Sequence, residues 1–576
     1  MLFIIVASVL YFYDYVENEG FNPSDEGVVQ AQAYRIINGQ IPHKDFISIR
    51  PVFSGIIHSV DFLLPLPLIV SGRWITFIEI FLTAFFIIQV LKKIYFGQNN
   101  LKTQFLYLLP LLLITYVLNT NLISLYPWTT IDALFLSSIG LNFMIDVIIG
   151  DKSKVYKNIV FAAFFFILAG LCRQTFFLLL VFLCLYLVIN IKRFELRLYK
   201  LLLYSLFSLI PLFLYIFLLV INNSFNDFIQ QITGRSEFFQ TGIITFVKEF
   251  AKSYLLPLYL ITTIFLIFNN KLKSLKIFDI FLNVQIVLYL LSAVVLSIII
   301  FYNSLGNIHI VPFELFWINM FLSFLVFINY RVKHIHIVLP VSLQIIAWIS
   351  SISLGVNSPS YAPGFIFISI ISLYFITRII PFKAFYMGII PYSIILFVIF
   401  IHNQKRNNYR DLSFDQLNYK LKNIYEDFGE IKTNVNTYNY IDELKRIIDN
   451  FDRDYKIAVL PNNAFIYPVA GLENPLPLDW PQPAEFVGNE KVFKKKLYNL
   501  INVEKVCFII DKYNSKNLAY KLEAMNYSSN DFDYINHIFL TCNKYPYEFK
   551  FFNVFISNGT DVQKDFLSND ILNRNQ

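Results

Sequence analysis

The chain has 576 residues, of which 56% are hydrophobic, 18% aromatic and only 15% charged. Soluble globular proteins carry about 25% charged residues, so this composition excludes an ordinary soluble protein and indicates a polytopic membrane protein. The net charge of +7 does not indicate nucleic-acid binding, because Lys and Arg cluster in short loops between apolar runs, where they orient a membrane protein. The expected partner is therefore the lipid bilayer, and no nucleic acid.

Apolar windows along the chain predict a mainly α protein with about thirteen transmembrane helices. The first window, MLFIIVASVLYFY, is short for a span, since about 20 residues are usual, and it lacks the basic start and small-residue cleavage site of a signal peptide. The windows fall near residues 1–14, 68–91, 104–119, 131–149, 157–172, 175–191, 199–221, 254–269, 279–302, 313–330, 337–355, 364–380 and 384–401.

The charges of the loops predict which side of the membrane each loop faces. Alternate loops carry Lys and Arg, at 92–93, 152–157, 192–197, 271–276, 331–333 and 378–383. The opposite set, including 119–130, 303–312 and 356–363, carries none. The positive-inside rule places the basic loops in the cytoplasm. We therefore expect residues 14–67, 222–253 and everything after 401 on the outer face of the inner (plasma) membrane.

The composition changes after residue 401, which divides the chain into a membrane domain of residues 1–401 and a soluble α/β domain of residues 402–576 on the outer face. Short apolar runs predict strands at 455–460, 505–510, 534–542 and 549–557. Helical spacing or composition predicts helices at 412–428, 439–451, 490–501 and 515–525. Cys507 and Cys542 fall in predicted strands, where they could form a disulfide or remain separate thiols.

The first outer loop contains NPSDEGVVQAQAYRIINGQIPHKDFISIRP at residues 22–51. A helix is predicted from Glu26 to Ile37. Asp25 in front of it is a good N-cap, and capping alone would explain the acidic pair Asp25-Glu26. Alternatively, the amphipathic helix lies in the membrane interface. The pair would then sit where a lipid-linked substrate presents its head group.

Several other charged residues are expected near the outer ends of membrane helices. Charge near a span is costly and marks a candidate functional site, although long side chains can also snorkel to the interface. Glu79 is predicted near mid-membrane without an obvious partner. The residues at the outer ends are Arg50, Arg73, Arg173, Asp132 and Glu314.

The order of these motifs resembles the GT-C superfamily of integral-membrane glycosyltransferases, particularly the protein-mannosyltransferase and aminoarabinose-transferase-like branch (glycosyltransferase family 39-like). That family has Asp-Glu in the first outer loop, then an amphipathic helix, Gly-x-x-Pro, Asp-Phe and a basic or aromatic residue before proline. The corresponding residues here are Asp25-Glu26, Gly39 to Pro42, Asp45-Phe46 and Arg50-Pro51. GLCRQTFFLL at 170–179 and HIVPFELF at 309–316 are similar to later segments of the family. The chain departs from the family in lacking a second proline after Pro51 and basic residues before the first helix.

The resemblance implies transfer of a sugar from a polyprenyl-phosphate carrier to a cell-envelope glycan, lipid or protein on the outer face, with inversion. It implies that Asp25 is the general base, and that Glu26 orients the acceptor or supports Asp25. Arg50, with Arg73 and Arg173 as weaker candidates, would stabilise the leaving phosphate. Further candidates are Asp45, Asp132, His309 and Glu314.

No cofactor is required by this hypothesis. The chain has no Cys/His spacing that indicates a metal site, although an acidic pair facing a phosphate could recruit a divalent cation. The alternative function is a transporter or a lipid or polysaccharide flippase, which would show broken or polar helices near the membrane midplane and related halves. A third class is an outer-face sensor or assembly protein, for which an acidic first loop has no purpose.

Overall fold

The computed structural model describes most of the chain, and the following bounds refer to that part. The described residues are 20–96, 101–120, 125–150, 152–191, 198–233, 236–268, 278–302, 310–352, 358–406, 410–452, 454–482, 485, 488–528, 532–545 and 547–557. The predicted first helix at 1–14 and the candidate His309 therefore lie outside the described residues.

Helices dominate the first four hundred residues. They are α1 (Val28–Ile37), α2 (Phe53–Ile57), α3 (Leu68–Tyr95), α4 (Leu101–Thr120), α5 (Thr129–Ile149), α6 (Val155–Cys172), α7 (Phe177–Ile189), α8 (Leu198–Ser208), α9 (Ile210–Ile221), α10 (Phe225–Thr233), α11 (Ser236–Ala251), α12 (Leu256–Ile267), α13 (Phe278–Tyr302), α14 (Ile310–Asn329), α15 (His334–Ser351), α16 (Pro363–Thr377) and α17 (Phe382–Arg406). Short 3-10 helices at His58–Leu63, Lys152–Lys154 and Gln174–Phe176 connect them.

The apolar helices form a multi-pass membrane bundle. Within the described ranges, seven helices are long and apolar enough to cross a membrane, or nine if each of two bent pairs is one span. The pairs α9–α10 and α11–α12 bend by 115° and 96°. The predicted count of thirteen is not confirmed, because several predicted windows lie on helices of 10–17 residues. Helices α9, α12 and α13 expose large apolar side chains, as a surface in contact with lipid does.

The C-terminal part holds a four-stranded sheet in the order β3-β4-β6-β5. β3 and β4 are parallel, while β6 is antiparallel to both β4 and β5. The strands are β1 (Tyr419–Lys420), β2 (Lys432–Thr433), β3 (Lys456–Leu460), β4 (Val506–Asp511), β5 (Asn543–Lys544) and β6 (Phe552–Ile556). The helices are α18 (Val435–Asn450), α19 (Ile466–Ala470), α20 (Glu490–Val503) and α21 (Asp533–Thr541), with 3-10 turns at Phe414–Gln416, Leu421–Asn423 and Glu426–Phe428.

The prediction for this part is correct for β3, β4, β6, α18 and α20, and wrong elsewhere. Residues 534–542 were predicted as a strand but lie in α21, because Tyr534, Ile535 and Ile538 pack on the sheet at helical spacing. The helix predicted at 412–428 is replaced by 3-10 turns and β1, and no helix forms at 515–525. All four cysteines lie in the described part and are free.

Both faces of the sheet are buried, and each buried face includes residues of the first outer loop. On one face Phe21 packs edge-to-face with Phe428 and Phe465. On the other, Ile47 joins the core between the sheet and α20, and its N–H donates to the carbonyl of Pro477 at 2.7 Å. The C-terminal part and the first outer loop therefore share a hydrophobic core.

Asp511 ends β4 in a buried polar network. Its carboxylate accepts hydrogen bonds from the Tyr440 hydroxyl at 2.6 Å and from the amides of Asn463 and Asn462 at 3.1 and 3.3 Å. Burial nevertheless raises the pKa of Asp511 to about 7, against the opposing effect of these three donors.

We predict that Asp511 makes stability depend on pH. The pKa is above the unfolded value of about 3.9, so the stabilising effect of the protonated form is complete below pH 3.9 and is lost as the pH rises through about 7. The full change is on the order of 4 kcal/mol. Melting temperatures between pH 5 and 8 should fall more steeply for wild type than for Asp511→Asn. The exposed Asp415→Asn is the control, and equal slopes for all three proteins would contradict the prediction.

Candidate active site

The acidic pair lies in a buried turn in front of α1, and it does not cap that helix. The side chain of Asn22 accepts the N–H groups of Ser24 and Asp25 at 3.1 and 3.2 Å. Gly27, at φ +90°, is the N-cap residue of α1, and the described side chains provide no cap hydrogen bond there. The capping explanation is therefore wrong, and both carboxylates have other partners.

Gly27 brings this turn against the C-terminal part. A Cβ atom at this position would lie 2.5 Å from Cβ and 2.6 Å from Cα of Phe465. The positive φ and this close approach both require glycine. The turn that carries Asp25 and Glu26 is thus fixed from the side of the C-terminal part.

Glu26 forms a buried bidentate ion pair with Arg73 of α3. Arg73 Nε donates to Glu26 Oε1 at 2.6 Å, and Nη2 donates to Oε2 at 2.9 Å. Nη2 also donates to the carbonyl of Gly20 at 2.5 Å. The side chains are 4% and 7% exposed. This geometry fixes the turn to α3. Arg73, which was a candidate for binding a phosphate, binds the carboxylate of Glu26 instead.

Asp25 has a different partner, a cation that follows the last membrane helix. Arg410 Nη1 donates to Asp25 Oδ2 at 2.5 Å, and the Ser24 hydroxyl donates to Asp25 Oδ1 at 3.1 Å. Lys516 lies near both charges. Burial lowers the pKa of Lys516, Asp25 opposes that change, and Arg410 adds to it. Asp25 thus lies among cations that come from beyond the membrane bundle.

Two more arginines lie on the same side. Arg50 donates to both carboxylate oxygens of Glu485, at 3.0 and 2.9 Å. Arg173 donates to the Thr130 hydroxyl and, at 2.6 Å, to the carbonyl of Ile352. Burial, together with the charge of Arg50, lowers the pKa of Arg173 to about 10. Two guanidinium groups held close together favour an anion between them.

Tyr361 connects these groups. Burial raises its pKa to about 12, while the charges of Arg173, Arg50 and Arg410 lower it and that of Asp25 raises it. The phenol of Tyr361 therefore interacts electrostatically with Asp25 and with three arginines. The structure brings together Asp25, Arg50 and Arg173, which the sequence predicted, with Arg410, Lys516 and Tyr361, which it did not.

Two tryptophans form a wall of this region. Trp128 and Trp480 pack edge-to-face with ring centres 6.3 Å apart. Arg35 of α1 fixes the segment before Trp480, since its Nε donates to Asp479 at 2.5 Å and its Nη2 to the carbonyl of Leu476 at 2.7 Å. A small cavity of about 50 Å³ lies between the tryptophans and Arg50. Ligand pockets usually measure about 300–1,000 Å³, so this cavity is much smaller than a typical ligand site.

Three predicted candidates lie elsewhere. Asp45 accepts the N–H of Ile41 at 2.6 Å and closes an exposed turn. Glu314 accepts hydrogen bonds from Ser253 at 2.7 Å, from the N–H of Tyr254 at 2.8 Å and from Tyr259 at 3.0 Å. Glu314 therefore holds the bend between α11 and α12. Asp132 lies next to Glu79 and His58 in a separate buried cluster, so Glu79 has charged neighbours that the sequence did not make obvious.

The residues that sequence reasoning missed come from distant parts of the chain. Arg410 is 385 residues from Asp25, and Lys516 and Glu485 lie in the C-terminal part. The signal for Arg410 in the sequence is the basic run that follows α17. Tyr361 lies in a loop without Lys or Arg, and a single tyrosine there gives no such signal.

Comparisons with known proteins give little further information. No family model matches the chain, and no curated protein matches it in sequence. Among solved structures, the chain is similar to ArnT from Cupriavidus metallidurans, determined bound to undecaprenyl phosphate. The two are 11% identical over 97% of this chain and 98% of ArnT, with a TM-score of 0.41. At that score and identity the likeness carries no argument about function.

We predict that Glu26→Gln strongly destabilises the protein. Breaking a buried ion pair leaves the charge of Arg73 uncompensated and costs about 3–5 kcal/mol. The melting temperature should therefore fall by several degrees. Glu249→Gln is the matched control, because it breaks a pair with Lys252 that is 70% exposed and contributes at most about 1 kcal/mol. Equal melting temperatures for the two variants would show that the Glu26–Arg73 pair contributes no more than a surface pair.

Proposed function

We propose that this protein is a membrane glycosyltransferase that moves a sugar from a polyprenyl-phosphate donor to a cell-envelope acceptor. The observation that supports it best is the buried Asp25 carboxylate beside a set of cations at one end of the membrane bundle. The reaction needs a base for a sugar hydroxyl and cations for a leaving phosphate. The two requirements meet in one place.

Asp25 acts as the general base. The acceptor hydroxyl attacks the anomeric carbon, its proton passes to Asp25, and the bond between that carbon and the phosphate oxygen breaks. One displacement inverts the configuration at the sugar. The turn held by Asn22, Gly27 and the Glu26–Arg73 pair keeps Asp25 rigid, which lowers the cost of orienting it for attack. Glu26 therefore supports Asp25 by position, which was one of its two expected roles.

The phosphate binds Arg50 and Arg173. Negative charge develops on the phosphate as the bond breaks, and preorganised guanidinium groups stabilise it. Arg50 is paired with Glu485 in the structure, so the phosphate would compete with Glu485 for the same donors. Arg73 is less suited to this role than was expected, because it bonds Glu26.

The orientation follows from the loop charges. Basic loops in the cytoplasm place Asp25 and the C-terminal part on the outer face of the inner membrane. The donor enters from the bilayer, where the exposed apolar faces of α9, α12 and α13 are compatible with a polyprenyl chain. The acceptor, a glycan, lipid or protein, comes from the aqueous side. The walls formed by Trp128 and Trp480 suit a sugar ring, because aromatic faces pack on apolar sugar surfaces.

A transporter or flippase is the second candidate, and the two bent helix pairs favour it. Broken helices near the midplane form substrate sites in many transporters. The bend of α11–α12 is held by Glu314, but Arg50, Arg173, Arg410 and Lys516 collect around Asp25. We rank the transferase first, because a transport protein needs no carboxylate beside arginines at the bundle end.

We predict that Asp25→Asn abolishes sugar transfer. Losing a general base typically costs 10²–10⁴-fold in rate, and asparagine keeps the size of the side chain. The assay measures release of polyprenyl phosphate from a panel of polyprenyl-phosphate sugars, with an extract of envelope glycans and lipids as acceptors. Asp45→Asn is the control, since Asp45 closes an exposed turn away from the site. Wild-type turnover by Asp25→Asn at an unchanged melting temperature would exclude Asp25 as the base.

We predict opposite effects at the two ends of the Arg50–Glu485 pair. Arg50→Ala should weaken binding of a polyprenyl phosphate about ten-fold to a hundred-fold, because a hydrogen bond to a charged group contributes about 1.5–3 kcal/mol. Glu485→Gln removes the competitor and should strengthen binding. The quenching of tryptophan fluorescence reports binding, since Trp128 and Trp480 lie beside the pair. If both variants bind the lipid as wild type does, the phosphate binds elsewhere.

A further inference from the structure

A second polar cluster lies inside the membrane bundle, and the proposed transfer reaction does not use it. His58 begins the 3-10 helix of the first outer loop, Glu79 lies in α3, and Asp132 lies in the first turn of α5. One nitrogen or oxygen atom from each lies within 4.8 Å of the others. All three side chains are buried.

The carboxylates of this cluster have atoms without partners. Asp132 Oδ2 and Glu79 Oε2 are buried and have no hydrogen-bond partner among the described residues. Buried polar atoms are almost always hydrogen-bonded, and an unpaired one suggests a ligand or an ion. Two buried carboxyl groups this close to each other need either a shared proton or a bound cation.

The imidazole of His58 is oriented by a second carboxylate. His58 Nδ1 lies 3.1 and 3.2 Å from the two oxygens of Asp61, and Asp61 Oδ2 also accepts a hydrogen bond from Gln30 at 2.8 Å. A proton on Nδ1 leaves the lone pair of Nε2 directed at Asp132. This carboxylate–histidine arrangement is the one that orients histidine ligands of metal ions.

The distance between His58 Nε2 and Asp132 is closer to that between two ligands of one metal ion than to that of a charge-assisted hydrogen bond. His58 Nε2 lies 3.4 Å from Asp132 Oδ1. A charge-assisted hydrogen bond would measure about 2.7–2.9 Å. Two ligands at about 2.0–2.1 Å from a tetrahedral ion lie about 3.4 Å apart. All three ligand atoms lie within 4.8 Å of one another, so each pair would need to close by at most about 1.4 Å to reach the separation of ligands on a tetrahedral ion.

We propose that His58, Glu79 and Asp132 bind a divalent first-row transition-metal ion, with Asp61 as the positioning residue that orients His58. One imidazole and two carboxylates suit Zn²⁺ and Mn²⁺, because imidazole favours the first and carboxylate oxygen the second. The ion would join the first outer loop to α3 and α5 and offset most of the negative charge of the three buried carboxylates.

The test loads the purified full-length protein with Zn²⁺ or Mn²⁺, removes free metal and measures the metal that remains. Wild type should retain one ion per chain. Asp132→Asn and Glu79→Gln should lose it, and Asp61→Asn should bind it about 10–100-fold more weakly, as loss of such a partner does. Asp146→Asn on the same helix is the control, because Asp146 is paired with Lys93 at 2.7 Å and is half-buried. Asp25→Asn should keep the metal, which separates this result from the transferase assay.

The wild type provides a second readout if a variant does not fold. Bound Co²⁺ should give visible d–d absorption that excess Zn²⁺ removes, and bound Mn²⁺ should lose the EPR signal of the free ion. Wild type that shows neither change overturns the proposal. Retention of the same amount of metal by wild type and folded Asp132→Asn also overturns it. If wild type binds no metal and Glu79→Gln is as stable as wild type, the proposal is overturned. That result would indicate instead a proton shared between Glu79 and Asp132.

Discussion

The buried ion pair between Glu26 and Arg73 is the interaction on which the candidate site depends. Taking two charges out of water is costly, and their attraction repays this only when the geometry is good. Here the guanidinium meets both carboxylate oxygens and also the carbonyl of Gly20. The pair fixes the first outer loop to α3, and that contact sets the position of the adjacent Asp25. The two acidic neighbours thus have different partners, Arg73 for Glu26 and Arg410 for Asp25.

The C-terminal part completes the constraint from the other side. Phe21 and Ile47 of the first loop belong to the cores on the two faces of the sheet, and Gly27 leaves room for the backbone of Phe465. A loop with many polar groups can be buried only if those groups find partners. Arg35 of this loop finds its partners in the C-terminal part, at the carboxylate of Asp479 and the carbonyl of Leu476. The loop is therefore an internal layer between the bundle and the sheet.

Local periodicity predicted the elements whose stability is local. β3 and β4 are continuous apolar runs buried on both faces, and α18 has one apolar stripe. The segment 534–542 was misassigned, because its aromatic and β-branched residues favour a strand while its core contacts follow helical spacing. Asp25 and Arg50 were predicted from a compact motif in one loop. Arg410, Lys516 and the partners of Glu79 were not, because only the folded chain brings them close.

Positive charge predominates around Asp25 among the described residues. Arg50, Arg173, Arg410 and Lys516 come from four separate parts of the chain. They face two carboxylates, those of Asp25 and Glu485, in a region where burial strengthens every interaction between charges. The excess of positive charge favours an anion, and a leaving phosphate would supply one. Glu26 does not compensate these cations, since it already pairs with Arg73. Of the two adjacent acidic residues of the loop, Glu26 fixes the turn to α3 and Asp25 faces the cations.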